Sequence, residues 1–435
     1  MAREMKDSGI EWIGEIPREW DIRKLKYCSE FIQDKYSDKN GELEYIGLEN
    51  ISSWSGKYIS TDSQYDRAQS LLFQAEDILW GKLRPYLAKV YHTKKSGCCS
   101  SEFCVIRVSK DYSIRYFWNL LISSEFVYAI DRSTYGTKMP RANAEFIRNT
   151  FIPVPDKHEQ QAIADFLDTQ CAHIDSVIEK TRAAIEEYKK LKQAVITQAV
   201  TKGIRPNRQM KDSGIEWIGE VPSAFVCRKL KSLALLISKG ATPKDISIEL
   251  DNRHIVRFLK SENIVDNHLK EKPEFRITTD IHEGELKRSV LSENDILFVI
   301  AGASIGKTAV MEIGLLPANT NQAVSFIRIE SKYCFAKKYI WYFLQSEVVK
   351  RFIFLFAVQS AQPNLSMENL GSIRMPFPKS KEEVLEIITY LDEKTAAIDS
   401  LIQKKEQLIS ELEAYKKSLI YEYVTGKKEV PVHAH

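Results

Sequence analysis

The sequence predicts an α/β (α+β) fold: two similar globular domains separated by a pair of long antiparallel helices, with a pseudo-twofold internal repeat. Two observations predict it. The stretch MKDSGIEWIGE at Met5–Glu15 recurs letter for letter at Met210–Glu220, so the chain contains two copies of one module. Each copy ends in a long segment of helical periodicity with no internal Gly or Pro, at residues 159–202 and 381–426.

The two copies share a scaffold but differ in their loops. Their matching anchors come in the same order: Arg23–Lys26 with Arg228–Lys231, Leu48–Ile51 with Ser261–Ile264, Asp77–Leu79 with Asp295–Leu297, Ile106–Val108 with Ile327–Ile329, and Tyr116–Trp118 with Tyr339–Trp341. The spacing between anchors drifts, which places the differences in the connecting loops. Loops that vary on a fixed scaffold are where recognition usually resides.

Each copy reads as a compact α/β unit of about 150 residues. The β-branched and aromatic runs at residues 103–108 and 323–329 predict strands. Residues 117–130 and 336–354 have helical spacing. We expect Trp12 and Trp217, inside the repeated stretch, to pack into equivalent cores as part of a structural clasp.

The long segments predict an intramolecular antiparallel coiled coil. Proline pairs at Pro153/Pro155 and Pro376/Pro378 impose an extended chain just before each helix. The apolar stripe is predicted at Val177, Ala184, Tyr188, Leu191 and Val195 in the first helix and at Leu401, Leu408, Leu412, Tyr415 and Leu419 in the second. A helix of some 40 residues is about 60 Å long. Two coils that each pair with another protein remain the alternative.

Composition narrows the class of protein. The longest apolar runs are strand-sized, and the N-terminus lacks the apolar core of a signal peptide, so we expect a cytoplasmic protein. The seven cysteines include no Cys-x-x-Cys pair, which favours reduced structural thiols over a zinc site. The net charge of +3 neither indicates nor excludes nucleic acid, because a large protein can carry a basic face and an acidic face.

This layout resembles the specificity (S) subunit of Type I restriction-modification systems over nearly the whole chain. The motifs that carry the resemblance are SGIEWIGEIP at Ser8–Pro17, SGIEWIGEVP at Ser213–Pro222, Gly240-Ala241-Thr242-Pro243, the Asp-Ile-Leu strands at Asp77 and Asp295, and IPVPDKHEQQ at Ile152–Gln161. The first domain lacks a Gly-x-Thr-Pro. The second exit has lost the Glu-Gln pair and reads SKEE at residues 380–383.

The resemblance implies a non-catalytic DNA-recognition subunit without a cofactor. Each domain would be a target recognition domain that reads half of a split site on double-stranded DNA. The helices would set the spacing and bind two modification (methyltransferase) subunits, and restriction subunits with ATP-dependent nuclease and translocase activity would join them. The implied segments are the clasp 1–22, recognition domain 23–158, spacer helix 159–203, linker and repeated clasp 204–222, recognition domain 223–380, spacer helix 381–427 and tail 428–435.

Candidate DNA contacts come from two loops that each have a counterpart in the other copy, and from one turn of the second copy. Basic and aromatic residues interleave after the Asp77 strand, and the loop at residues 135–143 and its counterpart at 358–364 differ in chemistry. Arg suits guanine, Asn and Gln suit adenine, and Lys suits phosphate. The candidates are Lys82, Arg84, Tyr86 and Lys89; Lys138, Arg141 and Asn143; Gln359, Gln362 and Asn364; Ser304 and Lys307; and Lys239 and Thr242 in the turn at 239–244.

Two rival hypotheses remain. Ala301–Thr308, AGASIGKT, satisfies a loose phosphate-loop pattern and allows a small NTPase. Gly314 and Pro317 would break the helix that such a loop needs, and the first copy has no equivalent. The second rival is a coiled-coil scaffold with no role in nucleic-acid binding. We find no methyltransferase motif, no catalytic constellation and no metal-ligand spacing.

Overall fold

The computed structural model describes residues 3–36, 43–61, 70–134, 138–248, 253–357 and 363–431. The chain divides into two compact units: the first is Met1–Arg182 with Glu406–His435, and the second is Ala183–Lys405. Both boundaries fall inside the two longest helices, so each unit contains one part of each helix. Among the described residues, no helix is both long enough and apolar enough to cross a membrane.

The first unit is a mixture of short strands and helices. Its elements are β1 (Met5–Asp7), β2 (Glu15–Pro17), β3 (Asp21–Lys24), β4 (Ser29–Ile32), β5 (Lys35–Tyr36), β6 (Tyr45–Ile46), β7 (Ser70–Phe73), β8 (Ile78–Gly81), β9 (Val90–His92), β10 (Gly97–Cys99), β11 (Phe103–Val108), α1 (Ile114–Ile122), α2 (Ser124–Asp131), α3 (Ala144–Asn149), β12 (Phe151–Val154) and the start of α4 (Lys157–Lys202). Its larger sheets have the orders β4-β11-β8-β9 and β5-β7-β10-β6.

The second unit repeats this plan. Its elements are β13 (Met210–Asp212), β14 (Glu220–Pro222), β15 (Phe225–Lys229), β16 (Ala234–Lys239), β17 (His254–Leu259), β18 (Ile264–Val265), β19 (His268–Leu269), β20 (Arg276–Thr278), α5 (Thr279–Glu283), β21 (Ile296–Val299), β22 (Thr308–Val310), β23 (Ala318–Thr320), β24 (Val324–Ile329), α6 (Lys337–Gln345), α7 (Glu347–Phe356), α8 (Met367–Ser372), β25 (Arg374–Pro378) and the start of α9 (Lys381–Val424). The sheet β16-β24-β21-β22 is the counterpart of β4-β11-β8-β9.

The expected strands at residues 103–108 and 323–329 are confirmed as β11 and β24. The two expected helical regions each contain two helices with a serine between them. Ser123 and Ser346 break the helices because both adopt extended backbone conformations. Both proline pairs lie in or beside a strand. Pro153 belongs to β12, which is hydrogen-bonded to β3, and Pro376 and Pro378 belong to β25, which is hydrogen-bonded to β15.

The repeated stretch folds into the same small hairpin twice. Met5 pairs with Pro17 in the first unit, and Met210 pairs with Pro222 in the second. Trp12 packs edge-on against Phe126 with ring centroids 5.5 Å apart, and Trp217 lies 6.1 Å from Phe352. The expected structural clasp is therefore present in both units.

The two long helices begin and end by the same local chemistry. Asp156 Oδ1 accepts a hydrogen bond from the Glu159 backbone N–H at 2.9 Å, and Ser380 Oγ accepts one from the Glu383 N–H at 3.3 Å. Such caps satisfy N–H groups that the helix itself leaves unpaired. Past the last turns, Gly203 and Gly426 take φ values of 71° and 70°, which a residue with a side chain rarely adopts.

Within each unit the helices run antiparallel, as predicted. In the first unit, Asp175 pairs with Lys416 at 2.6 Å, and Arg182 pairs with Glu413 at 2.9 Å. In the second unit, Lys192 pairs with Asp399 at 2.6 Å, and Arg205, just beyond the end of α4, pairs with Glu386 at 2.6 Å. The residue number rises along α4 as it falls along α9, which is the signature of antiparallel pairing.

The predicted apolar stripe is wrong at four positions. Leu191, Leu401, Leu408 and Tyr415 are 48%, 42%, 40% and 54% exposed. A different row on α4 is buried instead, formed by Ile174, Ile178, Thr181 and Ile185. Apolar residues at heptad spacing occur on more than one face of these helices. The domain that packs against a helix decides which face is covered, and spacing alone does not contain that information.

A glutamate near the start of α9 corrects the sequence comparison of the two domain exits, in which the second exit lacks the Glu-Gln pair. Arg3 and the Trp20 indole N–H both bond Glu159, and Arg208 pairs with Glu383 in the second unit. Glu383 is the positional equivalent of Glu159, so the glutamate of the Glu-Gln pair is retained. Within that pair the second exit differs only at Val384, which takes the place of the buried Gln160.

Candidate nucleic-acid interface

A hairpin that follows the Asp-Ile-Leu motif has the same length in both units. In the first unit Trp80 pairs with Val90, and in the second Phe298 pairs with Thr308. Nine residues therefore lie between the last strand pair in both hairpins, at 81–89 and 299–307. This places Lys82, Arg84, Tyr86 and Lys89 at the same positions as Ile300, Gly302, Ser304 and Lys307. The sequence comparison matched these stretches correctly.

In the first unit, backbone contacts join this hairpin to the second candidate loop. Leu83 forms a β-bridge with Arg141. The Arg84 N–H donates to the Pro140 carbonyl at 2.8 Å, and the Ala142 N–H donates to the Lys82 carbonyl at 2.9 Å. Two loops that are distant in sequence therefore form a single edge.

The second unit has the same three contacts. Ala301 bridges to Asn364. The Gly302 N–H donates to the Pro363 carbonyl at 3.1 Å, and the Leu365 N–H donates to the Ile300 carbonyl at 2.8 Å. We call this hairpin and its bridged loop the reading frame of each unit. Residues 82–89 with 138–143 form the first frame, and residues 300–307 with 363–366 form the second.

The first reading frame is rich in cations. Arg84 and Lys138 are exposed, Tyr86 is 40% exposed, and Lys82 is half-buried. Arg84 takes a left-handed backbone conformation, with φ of 51°. Arg141 is exposed and pairs with Glu102 at 2.7 Å. Glu102, which sequence reasoning missed, lies just before β11, and its carbonyl accepts from the Lys82 N–H at 2.8 Å.

The second reading frame is mainly neutral and polar. Asn364 and Lys307 are exposed and Ser304 is half-buried. Gln359 and Gln362 lie outside the described residues. Lys307 makes no ion pair or side-chain hydrogen bond with the residues that the structure describes. The second frame therefore offers an amide where the first offers a guanidinium.

Equivalent lysines differ in their surroundings. Lys89 is half-buried, its Nζ donates to the Leu48 carbonyl at 2.7 Å, and burial lowers its pKa. Lys307, at the same position in the second hairpin, is exposed. The Lys89 side chain therefore ties the hairpin to the turn at Leu48–Asn50, and the equivalent Lys307 side chain is exposed to solvent.

Two other candidates have local structural bonds. The Asn143 side chain caps α3 by accepting from the Glu145 N–H at 2.8 Å, and Ser366 caps α8 in the same place of the second unit. Thr242 donates to the Gln322 side chain. Gln322 adjoins Ala323, whose carbonyl accepts from the Ile300 N–H at 2.8 Å. The turn carrying Thr242 and the exposed Lys239 thus lies beside the second reading frame.

The phosphate-loop interpretation of Ala301–Thr308 is wrong. The loop leads into strand β22 rather than a helix, and Thr308 is fully buried, with its hydroxyl bonded to the Leu297 carbonyl at 2.6 Å. The backbone N–H groups of Ile305, Gly306 and Lys307 already bond carbonyls inside the loop. A phosphate loop needs free N–H groups at a helix N-terminus, so this hairpin does not support an NTPase.

Four of the seven cysteines are buried thiols, while Cys171 and Cys227 are half-buried and Cys334 is exposed. Cys28, Cys98, Cys99 and Cys104 are buried, and burial raises the pKa of Cys104 to about 11. A thiol that stays protonated is a poor nucleophile and a poor metal ligand. Over the described ranges, no group of three or more metal-ligating side chains comes together.

Comparison with known proteins identifies the class. Residues 17–187 and 222–411 match the family model described as Type I restriction modification DNA specificity domain, which covers more than half of the chain. The chain belongs to this family. The two matches correspond to the two copies of the module, and the family resemblance drawn from the sequence is confirmed.

Individual relatives are distant in sequence but match over most of the chain. The chain is 23% identical over 428 residues to the Type I restriction enzyme MjaVIII specificity subunit of Methanocaldococcus jannaschii, covering 95% of this chain and 94% of the relative. It is 24% identical over 363 residues to the EcoBI specificity subunit of Escherichia coli, covering 81% and 73%. The first of these relatives therefore matches nearly end to end, and the second matches over about three quarters of its length.

Solved structures share the fold. A chain from a structural study of complex assembly and conformational transition of the type I R-M system superposes with a TM-score of 0.72 at 17% identity, over 95% of this chain and 99% of that one. The HsdS subunit from Thermoanaerobacter tengcongensis gives a TM-score of 0.50 at 18% identity, over 95% and 98%. The predicted fold class is confirmed.

Proposed function

We propose that this chain is the DNA sequence-specificity subunit of a Type I restriction-modification complex. Each unit reads one half of an asymmetric, bipartite site on double-stranded DNA. The observation that carries the proposal is the pair of reading frames, which have the same loop length and the same backbone contacts but different exposed side chains. Two readers with one scaffold and different contacts suit a target whose halves differ in sequence. Family membership supports this proposal.

The exposed side chains of the frames are the proposed DNA contacts. Arg84, Arg141 and Asn364 suit base edges because guanidinium and amide groups form paired hydrogen bonds with guanine and adenine. Lys82, Lys138, Lys239 and Lys307 suit phosphates, with Tyr86 and Ser304 beside them, and Gln359 and Gln362 remain candidates from the sequence. Lys89, Asn143 and Thr242 already have structural bonds, and we leave them out of the proposed contacts.

The chain itself carries no catalytic role, cofactor or metal in this proposal. Methylation belongs to two methyltransferase subunits, and ATP-dependent cleavage and translocation belong to restriction subunits. A subunit that reads DNA inside the cell would work in the cytoplasm, as the sequence suggested. The segment boundaries stated from the sequence, with recognition domains at 23–158 and 223–380, are part of the same proposal.

Exposed apolar residues on the long helices are the proposed docking surface for the methyltransferase subunits. Leu408 and Tyr415 are exposed in the first unit, and Leu191 and Leu401 are exposed in the second. Leu408 and Tyr415 are seven residues apart on α9, and large apolar side chains at that spacing favour contact with another helix. Leu191 on α4 and Leu401 on α9 supply exposed apolar groups in the second unit, and exposed groups in both units fit a complex with two copies of the same partner.

Methylome sequencing tests the proposal. Cells that express the methyltransferase subunit with this chain should carry one bipartite methylated motif with two unlike halves, and cells without the chain should lack it. If the methylated sites are unchanged when the chain is deleted, the proposed function is wrong.

A replacement experiment assigns each half-site to its unit. Exchanging residues 23–150 for the corresponding segment of another family member should change one half of the motif and leave the other half intact. A change in both halves, or in neither, would contradict the division into two independent readers. The exchange of residues 223–380 is the matched reciprocal test.

A further inference from the structure

Residues 141 and 364 occupy equivalent positions in the two reading frames. Each forms the β-bridge to its hairpin, Arg141 with Leu83 and Asn364 with Ala301. Each is followed two residues later by a helix cap, Asn143 or Ser366. Backbone pairing on one side and a capped helix on the other fix the Cα position of both residues. Both side chains are exposed.

The two residue types have distinct preferences among bases. The guanidinium of Arg presents two parallel N–H donors that match the O6 and N7 acceptors of guanine. The amide of Asn offers one donor and one acceptor, which match N7 and N6 of adenine. A single position filled by Arg in one unit and by Asn in the other is what two different base readers require.

A second residue changes together with this position. Arg141 pairs with Glu102 at 2.7 Å. The equivalent of Glu102 is Ala323, since their carbonyls accept at 2.8 Å from the equivalent N–H groups of Lys82 and Ile300. The carboxylate is therefore present in the frame that has the arginine and absent in the frame that has the asparagine.

Glu102 is also costly to keep. Its Oε2 is buried and has no hydrogen-bond partner within the described residues. A buried carboxylate oxygen without a partner destabilises a fold. The role of Glu102 is therefore to orient Arg141 and not to stabilise the fold. Holding the Arg141 guanidinium in a fixed orientation reduces the entropy that an arginine loses when it binds a base. Glu102 is accordingly a positioning residue for Arg141.

We propose that residues 141 and 364 are the equivalent base-reading positions of the two half-sites. Arg141, oriented by Glu102, selects guanine in the half-site read by the first unit. Asn364 selects adenine in the half-site read by the second unit. The inference rests on the proposed function and extends it by naming one base in each half-site and the residue that reads it.

The test is methylome sequencing of cells that express the methyltransferase subunit with each variant. Arg141→Ala should accept other bases at one guanine position of the first half-site, with discrimination reduced about 10-fold, since a bidentate contact provides roughly that factor. The second half-site should be unchanged. Asn364→Ala should relax one adenine position of the second half-site only. The control is Lys95→Ala, which removes an exposed cation beyond the far end of β9 and should leave both halves intact.

Two further variants separate base reading from folding. Arg141→Lys keeps the charge and the partner Glu102 but loses the paired donors, so it should relax the same guanine position. Glu102→Ala should relax that position too, while methylation of the wild-type motif persists. The double substitution Ala323→Glu with Asn364→Arg should shift the second half-site from adenine toward guanine.

The outcomes are distinguishable. A wild-type motif without guanine in the first half-site, or an Arg141→Lys variant that retains full discrimination, overturns the inference and leaves the proposed function standing. The absence of any motif that depends on the wild-type chain overturns the proposed function itself. If Arg141→Ala abolishes methylation but Arg141→Lys keeps the wild-type motif, the arginine contributes charge and not base recognition, and the inference is wrong.

Discussion

The hydroxyl of Tyr116 lies 2.9 Å from the carbonyl oxygen of Val424, 308 residues further along the chain. The same hydroxyl lies 3.0 Å from the Pro153 carbonyl in β12. In the second unit, Tyr339 lies 2.9 Å from the Val200 carbonyl and 2.7 Å from that of Pro376. Each tyrosine thus joins the strand that precedes one long helix to the C-terminal end of the other long helix.

Removing this hydroxyl should destabilise the unit that contains it. Tyr116 is fully buried, so Tyr116→Phe leaves two buried carbonyls without their donor. We expect a loss of about 1–3 kcal/mol in the free energy of unfolding, measured by urea denaturation. Tyr128→Phe, at a 42% exposed tyrosine of the same unit, should change it little. Equal effects of the two substitutions would contradict the role given to the Tyr116 hydroxyl.

The two buried tyrosines also predict a loss of stability at alkaline pH. Burial holds the pKa of Tyr116 and Tyr339 well above the usual value of about 10. Above pH 10 the unfolded chain releases these protons and the folded chain keeps them. The contribution of these two tyrosines to the free energy of unfolding is therefore fully present below about pH 10. It falls as the pH rises above that value, by about 1.4 kcal/mol per pH unit for each tyrosine. The Tyr116→Phe/Tyr339→Phe variant should show a shallower decline between about pH 10 and 11, and an unchanged slope would contradict this.

A buried ion pair stabilises each central sheet. Arg107 makes two hydrogen bonds of 2.8 Å with Asp77, which is 1% exposed, and Arg328 holds Asp295 in the same way. Asp77→Ala leaves the guanidinium without its partner. We expect a cost of about 3 kcal/mol by urea denaturation, at the lower end for such pairs because Arg107 is a third exposed.

The matched control is the exposed pair of Arg132 with Glu11. These side chains are 73% and 90% exposed, so Arg132→Ala should cost less than about 0.5 kcal/mol. A comparable loss from both substitutions would show that burial does not determine the contribution of the Asp77 pair.

The equivalent lysines Lys89 and Lys307 should respond differently to substitution. Lys307→Ala should weaken DNA binding by the complex with methyltransferase subunits equally on all sequences, and should reduce the slope of log affinity against log salt by about 1, as for the loss of one phosphate contact. Lys89→Ala should leave that slope unchanged and lower thermal stability, because the Lys89 ammonium bonds the Leu48 carbonyl. The reverse pattern would contradict the assignment of the two lysines.

Disrupting the exposed helix residues should separate the chain from its partner. Leu408→Glu and Tyr415→Glu place charge on a surface that we propose to be apolar and buried in the complex. We expect loss of co-purification with the methyltransferase subunit by size-exclusion chromatography, with an unchanged melting temperature of the isolated chain. Leu235→Glu, at a 68% exposed leucine on β16, is the control and should still co-purify. Full assembly of both helix variants would exclude this surface.

Local patterns in the sequence predicted the repeat and the long helices well. The absence of Gly and Pro within α4 and α9, with Gly203 and Gly426 beyond them, depends only on neighbouring residues. The strands β11 and β24 follow from β-branched and aromatic content. The equivalence of Asp77 and Asp295 was also visible, since each begins the same Asp-Ile-Leu motif.

Long-range contacts were not predictable in this way. The hydrogen bond from the Arg84 N–H to the Pro140 carbonyl joins two segments of the backbone, and no pattern of side chains in the sequence indicates that they meet. The Lys89 ammonium bonds the Leu48 carbonyl, and the Arg141 guanidinium pairs with Glu102, so the surroundings of both side chains depend on residues distant in sequence. Each of these relationships is a property of the folded chain, so the sequence supplied candidate residues but not which of them already have structural partners.

The three contacts that close each reading frame are made by the main chain alone. Substituting a side chain there leaves the N–H and carbonyl groups in place, provided that the new residue is not proline. If the frames read DNA as we propose, the exposed side chains set the target while these main-chain bonds hold the loops together. A lineage that carries this protein would then acquire a new DNA target through one or two codon changes at exposed frame positions.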